Sequence, residues 1–173
     1  TGMVGYCESI TDPSYSGQIL VLTFPMVGNY GVCPATSDDL SIPHFMESHN
    51  VHIAGLVVAD YTKIYSHWNA VQSLGQWLTE AGIPAIYGVD TRMLTKKLRE
   101  KGSTLGKIEM VDQSPIAFYN PNEANLVAKV SCKDVKYYSA DTDNIKAPHI
   151  IAYDCGMKAN ILRHLVYVQN CHV

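Results

Sequence analysis

The stretch HIAGLVVADYTKIYSHWNAVQSLGQWLTEAGIPAIYGVD, residues 52–90, sets the architecture. His52 to Ala59 are nearly all apolar, which reads as a strand covered on both faces. Ser73 opens the next stretch, in which Leu74, Trp77, Leu78 and Ala81 recur at i, i+3, i+4 and i+7, one face of a helix. Gly82 is the expected stop. Ile83 to Gly88 reads as a returning strand. Strand, helix and strand in this order point to an α/β fold.

Working outward, Asp90 is a cap candidate for a second helix, TRMLTKKLREK, with Met93, Leu94 and Leu98 as its expected buried stripe. Lys96, Lys97, Arg99 and Lys101 crowd its last turns, where the helix dipole favours cations, and Gly102 ends it. Upstream, Ile19 to Phe24 is a β-rich run between Gly17 and Pro25, read as a buried strand. Ser41-Ile42-Pro43 predicts a short helix through Met46, ending near Asn50. Residues 111–147 carry Pro115, Pro121 and a polar AspThrAspAsn run at 141–144, and read as a mixed stretch closing in a linker over 139–148. His149 to Tyr153 then reads as a parallel-type strand, Asp154-Cys155-Gly156 as a tight turn, and the following residues as a helix with Ile161, Leu162 and Leu165 on one side. Residues 170–173 read as the start of a further strand. The expected organisation is a layered β/β/α-type domain over 1–138 and the first βα unit of a flavodoxin-like domain over 149–173. With Thr1 first and Val173 inside an apolar pattern, both ends look like cuts through a larger protein.

The bulk numbers agree with a packed domain. The 173 residues are 47% hydrophobic and 17% charged, with a net charge of −3. A chain of this size buries roughly 70% of its unfolded surface, enough for a core without staples. No apolar run approaches a membrane span, and no Lys/Arg block suits nucleic acid or an anionic membrane. The five cysteines, at 7, 33, 132, 155 and 171, are odd in number and irregular in spacing, which argues for free thiols in a reducing compartment. His44, His49 and His52 lie near one another, but without a partner at metal-ligand spacing, so no metal site is expected.

The stretch GYCESITDPSYSGQILVLTFPMVGNYG, residues 5–31, packs four glycines and Asp12-Pro13 around one apolar run. In Thr11-Asp12-Pro13-Ser14-Tyr15, Thr11 and Asp12 can bond neighbouring amides and Pro13 presets the turn, which displays Ser14 on a rigid corner. By itself such a Ser is more often a turn or cap residue. Gly28 to Gly31 could form a phosphate nest, but the wider glycine pattern is absent and a turn is the better reading. Arg92 suits an ion pair, and Trp68, beside His67, suits a core or interface contact.

Three motifs resemble one family. TGMVGYCESITDPSYSGQILVLTFPMVGNYG (1–31) and IPAIYGVDTRMLTKKLREKGSTLGKIE (83–109) resemble the amino-terminal domain of the small, glutamine-hydrolysing part of carbamoyl-phosphate synthetase. IIAYDCGMKANILRHL (150–165) resembles the first strand and helix of the class I glutamine amidotransferase domain that follows it. The wording is most similar to the eukaryotic fused enzymes of the pyrimidine pathway. Cys7 departs from the pattern, standing where the family usually has Pro or Gln.

The resemblance implies a cytoplasmic, multifunctional ligase and amidotransferase. It takes ammonia from glutamine through a Cys-His-Glu set and passes it to a large synthetase subunit or domain. There bicarbonate and two ATP, with Mg²⁺, give carbamoyl phosphate for pyrimidine or arginine synthesis. The catalytic Cys-His-Glu residues lie beyond Val173, and neither Cys155 nor Cys171 stands in the family's nucleophile elbow. No cofactor belongs to this segment. Ser14 is implied as a glutamine contact, with Arg92 and Trp68 as interface candidates; the remaining partner is the rest of the glutaminase domain. The rival readings are a docking module of the same fold without chemistry, and a cysteine-rich metal or redox protein.

Overall fold

The computed structural model describes residues 4–139 and 146–173. Helix α1, Tyr6–Thr11, leads through a 3₁₀ turn, Pro13–Tyr15, into strand β1, Ile19–Leu22. Strand β2, Gly55–Val58, and strand β3, Ala85–Ile86, complete a parallel sheet of order β1-β2-β3. Ile19 pairs with Gly55, Leu22 with Val58, and Leu56 with Ala85. The central β2 is buried along its whole length, as its continuous apolar run predicts. Its neighbours are shorter than their apolar runs. β1 alternates half-buried and buried residues, and both residues of β3 are exposed.

Parallel strands need a crossover, and helix α2, Leu74–Glu80, supplies the one between β2 and β3. The Ser73 hydroxyl accepts from the N–H of Gln76 at 3.2 Å, and Gly82 follows the helix at a positive φ of 67°. Leu74 and Leu78 enter the main core with Leu20, Leu22, Leu56 and Val58. Trp77 is only partly buried against that core and Ala81 is exposed. Helix α3, Thr91–Lys101, is capped by Asp90, whose Oδ1 accepts from the N–H of Met93 at 2.9 Å, and it lies beside β1.

Four expectations need correction. No helix forms over 41–46. Asp38 Oδ1 instead accepts from the N–H groups of Leu40 and Ile42, and Ser41 sits at φ 61°. A short carboxylate that collects nearby amides in this way competes with a helix for them. The stripe on α3 is not buried: Met93 is 44% exposed, Leu94 and Leu98 are half-buried, and Thr91 is the buried residue. His149–Tyr153 is not a strand. Only His149 bridges, in parallel, to His172, while Ile151 and Tyr153 stand exposed. A parallel strand needs neighbours and covered faces, and residues 171–173 are its one flank among the described residues. Lastly, Ile161 is exposed and Leu165 half-buried, so the buried line of the last helix is Ala159, Leu162 and Val166.

Downstream of α3 come a second 3₁₀ turn, Pro121–Glu123, helix α4, Leu126–Val130, and helix α5, Ala159–Arg163, which continues as a wider π turn over His164–Val168. Residues 140–145 of the expected 139–148 linker lie outside the described residues. The last segment is not loose. Ala159, Leu162 and Val166 pack with Ile42 in a second cluster, flanked by Leu40, Tyr138 and Val173. Val173 and Tyr138 exchange backbone hydrogen bonds at 2.9 and 2.8 Å, and the Ile150 N–H donates to the His172 carbonyl at 2.8 Å.

Candidate functional site

The corner that carries Ser14 is built locally. Asp12 Oδ1 accepts from the Ser14 N–H at 2.8 Å, the Asp12 carbonyl accepts from Tyr15, and the Pro13 carbonyl accepts from Ser16. Asp12 and Pro13 are buried and Ser14 is exposed. The Gln18 side-chain amide donates to the Ser14 carbonyl at 3.0 Å, while the Ser14 hydroxyl makes no hydrogen bond among the described residues. Ser14 is thus held by its backbone and presents a free donor and acceptor. Thr11 behaves differently from expectation: its hydroxyl donates to the Cys7 carbonyl at 2.9 Å and accepts from the distant Glu47 N–H at 3.0 Å. Ser48 Oγ donates to the Thr11 carbonyl at 2.8 Å.

The 154–158 turn comes up against this corner. Asp154 Oδ1 accepts from the N–H groups of Gly156 and Met157, both at 2.7 Å, and Oδ2 accepts from Cys132 at 3.0 Å. Burial alone pushes this carboxyl up, but the three N–H donors outweigh it and hold it below the usual carboxylate range. Gly156 has φ 99°, and a Cβ placed there would stand 2.6 Å from Val130 Cγ2 and 3.3 Å from Pro13 Cβ. Only glycine allows both this backbone and this approach. Lys158 Nζ lies 3.6 Å from Asp12 Oδ2, with its side chain 43% exposed. A free hydroxyl on a fixed corner suits a small ligand that carries both donors and acceptors.

Two surface hollows lie elsewhere. One, of about 210 Å³, lies between β2, β3 and α2; the other, of about 470 Å³, runs between residues 132–138 and 150–154. Ser14 lines neither, although Asp154 and Met157 border the larger one.

Residues 28–31 form a turn, closed by the Gly31 N–H donating to the Gly28 carbonyl at 3.0 Å. The purpose of this glycine-rich opening is Tyr30. Its hydroxyl accepts from the N–H groups of Gly5 and Tyr6 at 2.8 and 3.0 Å, the donors that the first turn of α1 leaves free. Burial pushes the Tyr30 phenol up to about 12. No local signal announces this cap, because its partner lies two dozen residues away.

Trp68 is 87% exposed, its ring tilted against His67 at 5.6 Å. Arg92 is exposed on the first turn of α3 and makes no salt bridge among the described residues. No hydrogen bond, ion pair or ring contact joins either to the Ser14 corner among the described residues. All five cysteines are free thiols. Among the described residues no group of three or more His, Cys, Asp or Glu is arranged to hold a metal, and no helix is long and apolar enough to cross a membrane.

The family model for the carbamoyl-phosphate synthase small chain, CPSase domain, matches residues 1–108, which include α1, the Ser14 corner, the sheet and α3. The chain belongs to the carbamoyl-phosphate synthase small chain family. Its similarity to relatives continues through the Asp154 turn and α5. It is 51% identical over 167 residues to human mitochondrial carbamoyl-phosphate synthase [ammonia], covering 96% of this chain and 11% of that protein. It is 49% identical to the arginine-specific small chain of Saccharomyces cerevisiae, covering 96% of this chain and 40% of that one. It is 48% identical to the multifunctional protein CAD of Squalus acanthias, covering 95% of this chain and 7% of that protein. The chain therefore spans two-fifths or less of the length of these relatives.

Proposed function

We propose that this chain is a segment of a glutamine-dependent carbamoyl-phosphate synthase, the enzyme that turns glutamine, bicarbonate, two ATP and water into carbamoyl phosphate and glutamate. In this reading the segment does no bond-breaking. Residues 1–138 brace the glutaminase against a large synthetase subunit or domain, with exposed Trp68 and Arg92 on the bracing surface. The ATP and Mg²⁺ belong to that synthetase portion. Residues 149–173 are the first unit of a flavodoxin-like amidotransferase domain, and the parallel His149–His172 bridge around α5 supports that topology. The product enters pyrimidine or arginine synthesis, in the cytoplasm.

One observation carries the site. Ser14 is exposed on a corner fixed by Asp12, its hydroxyl is free, and the 154–158 turn is drawn against that corner through Pro13–Gly156 and Asp12–Lys158. Glutamine bound where the two segments meet would find a hydroxyl that both donates and accepts. The test is Ser14→Ala in the complete enzyme. Losing one neutral hydrogen bond of ~0.5–1.5 kcal/mol should raise the apparent KM for glutamine roughly two- to twelvefold, with kcat held and ammonia-dependent synthesis near normal. An equal loss with both nitrogen donors would instead make Ser14 a support of the fold.

The 51% identity to a human relative named for ammonia favours a second reading, in which the complete enzyme takes free ammonia and the corner only docks. Wild-type synthesis with ammonia and none with glutamine would decide for it.

A further inference from the structure

Glu47 is a charged residue only 8% exposed, and it joins two parts of the chain far apart in sequence. On one side its backbone N–H donates to Thr11 Oγ1 at 3.0 Å, one residue before the Asp12–Ser14 corner. On the other side its backbone carbonyl accepts from the Ala159 N–H at 2.8 Å, and its Oε2 accepts from the Asn160 N–H at 2.9 Å. Its Oε1 lies 3.8 Å from Arg163 Nη2. Arg163 in turn donates to the carbonyls of Pro43 and Met46. A buried carboxylate is costly unless its oxygens are occupied, and here both are, by the opening turn of α5 and by a guanidinium.

We propose that Glu47 is a positioning residue for the glutamine site: it fixes α5 and the 154–158 turn at one distance and angle from the Ser14 corner. The inference rests on the reading of Ser14 as a glutamine contact. Removing the Glu47 side chain leaves the backbone bonds to Thr11 and Ala159 in place. It frees the Asn160 N–H and leaves Arg163 without its carboxylate. The two faces of the site then lose their common reference, while each keeps its own local turn. Such a change weakens glutamine binding without touching the synthetase chemistry.

The experiment compares wild-type, Ser14→Ala, Glu47→Ala, Glu47→Gln and the Ser14→Ala/Glu47→Ala double variant of the complete enzyme, each assayed with glutamine and with ammonium. Glu47→Ala should raise the glutamine KM about two- to tenfold, leave kcat nearly unchanged and spare ammonium-dependent synthesis. Glu47→Gln can still accept from Asn160, so it should fall between the two; it also keeps the question answerable if the Ala variant fails to fold. Because Glu47 acts through the corner, the double variant should be little worse than Ser14→Ala alone, as expected for coupled residues. An equal loss with glutamine and ammonium, or fully additive losses in the double variant, overturns the proposal. So does an unchanged glutamine KM in both Glu47 variants while Ser14→Ala shows its effect, and that outcome leaves the Ser14 reading standing. An unchanged KM in Ser14→Ala itself sinks both.

Discussion

The ring of Tyr6 stacks on the ring of Tyr30 with centroids 4.1 Å apart and planes 11° from parallel, and the Tyr30 hydroxyl accepts from the Tyr6 N–H that opens α1. The Tyr6 hydroxyl closes the pair by donating to the Gly31 carbonyl at 2.6 Å. The glycine-rich opening thus serves to hang one helix from one turn.

Tyr30→Phe keeps the ring stack and removes the acceptor for two N–H groups. Leaving buried or half-buried donors unsatisfied costs about 1–3 kcal/mol, and that loss should appear as a lower urea midpoint with the slope unchanged. An unaltered midpoint would mean that water replaces the phenol and that the stack alone holds α1.

Gly156→Ala and Gly82→Ala separate strain from crowding. Both positions have positive φ, but an added Cβ at Gly82 meets nothing within 4 Å, whereas at Gly156 it meets Val130 and Pro13. The Gly82 variant should lose about 1 kcal/mol from backbone strain alone. The Gly156 variant should lose clearly more and, on the proposed reading of the Ser14 corner as a glutamine contact, should also raise the glutamine KM of the complete enzyme because the 154–158 turn is pushed off the corner. Equal losses in stability would show that the turn yields without cost.

Asp90→Ala removes the acceptor for the Met93 N–H at the start of α3. The expected loss is about 0.5–2 kcal/mol, the usual cost of an N-cap, read from the denaturation midpoint. Asp90→Ser should restore most of it, and failure to do so would point to a role for the charge.

His52 sets a pH dependence. Burial lowers its pKa below the ordinary value, Lys129 adds to the lowering, and Asp12 opposes it. The folded chain therefore resists protonating this imidazole, while the unfolded chain protonates it near its ordinary pKa of about 6.5. Its stabilising contribution is complete above that value and is lost as pH falls from there through the lower folded pKa. Denaturation midpoints measured from pH 8 to pH 5 should decline more steeply for the wild type than for His52→Gln. Parallel curves would show that another group governs the slope.

Gly82, Asp90, Gly102 and the Asp12-Pro13 corner were legible because a cap or a turn is decided by atoms within about four residues of one another. The buried β2 was legible because its apolar run has no other use. These local signals determine the strand–helix–strand frame and the display of Ser14. They misplace what depends on a competing side-chain bond or on distant partners. Near 41–46 the expected helix gives way to a loop in which Asp38 takes the Leu40 and Ile42 amides, the α3 stripe lies half-open beside β1, and among the described residues His149–Tyr153 lacks the flanking strands that would extend it. The bonds that assemble the candidate site reach farther still: 36 residues from Glu47 to Thr11 and 113 from Glu47 to Asn160. A polar side chain with such a partner looks, in the sequence, like any surface Glu. Only the tertiary structure decides that Glu47 is buried, that Lys158 stands beside Asp12, and that Gly156 must lack a side chain. Each of these follows from two segments packing against each other, and neither segment encodes that by itself.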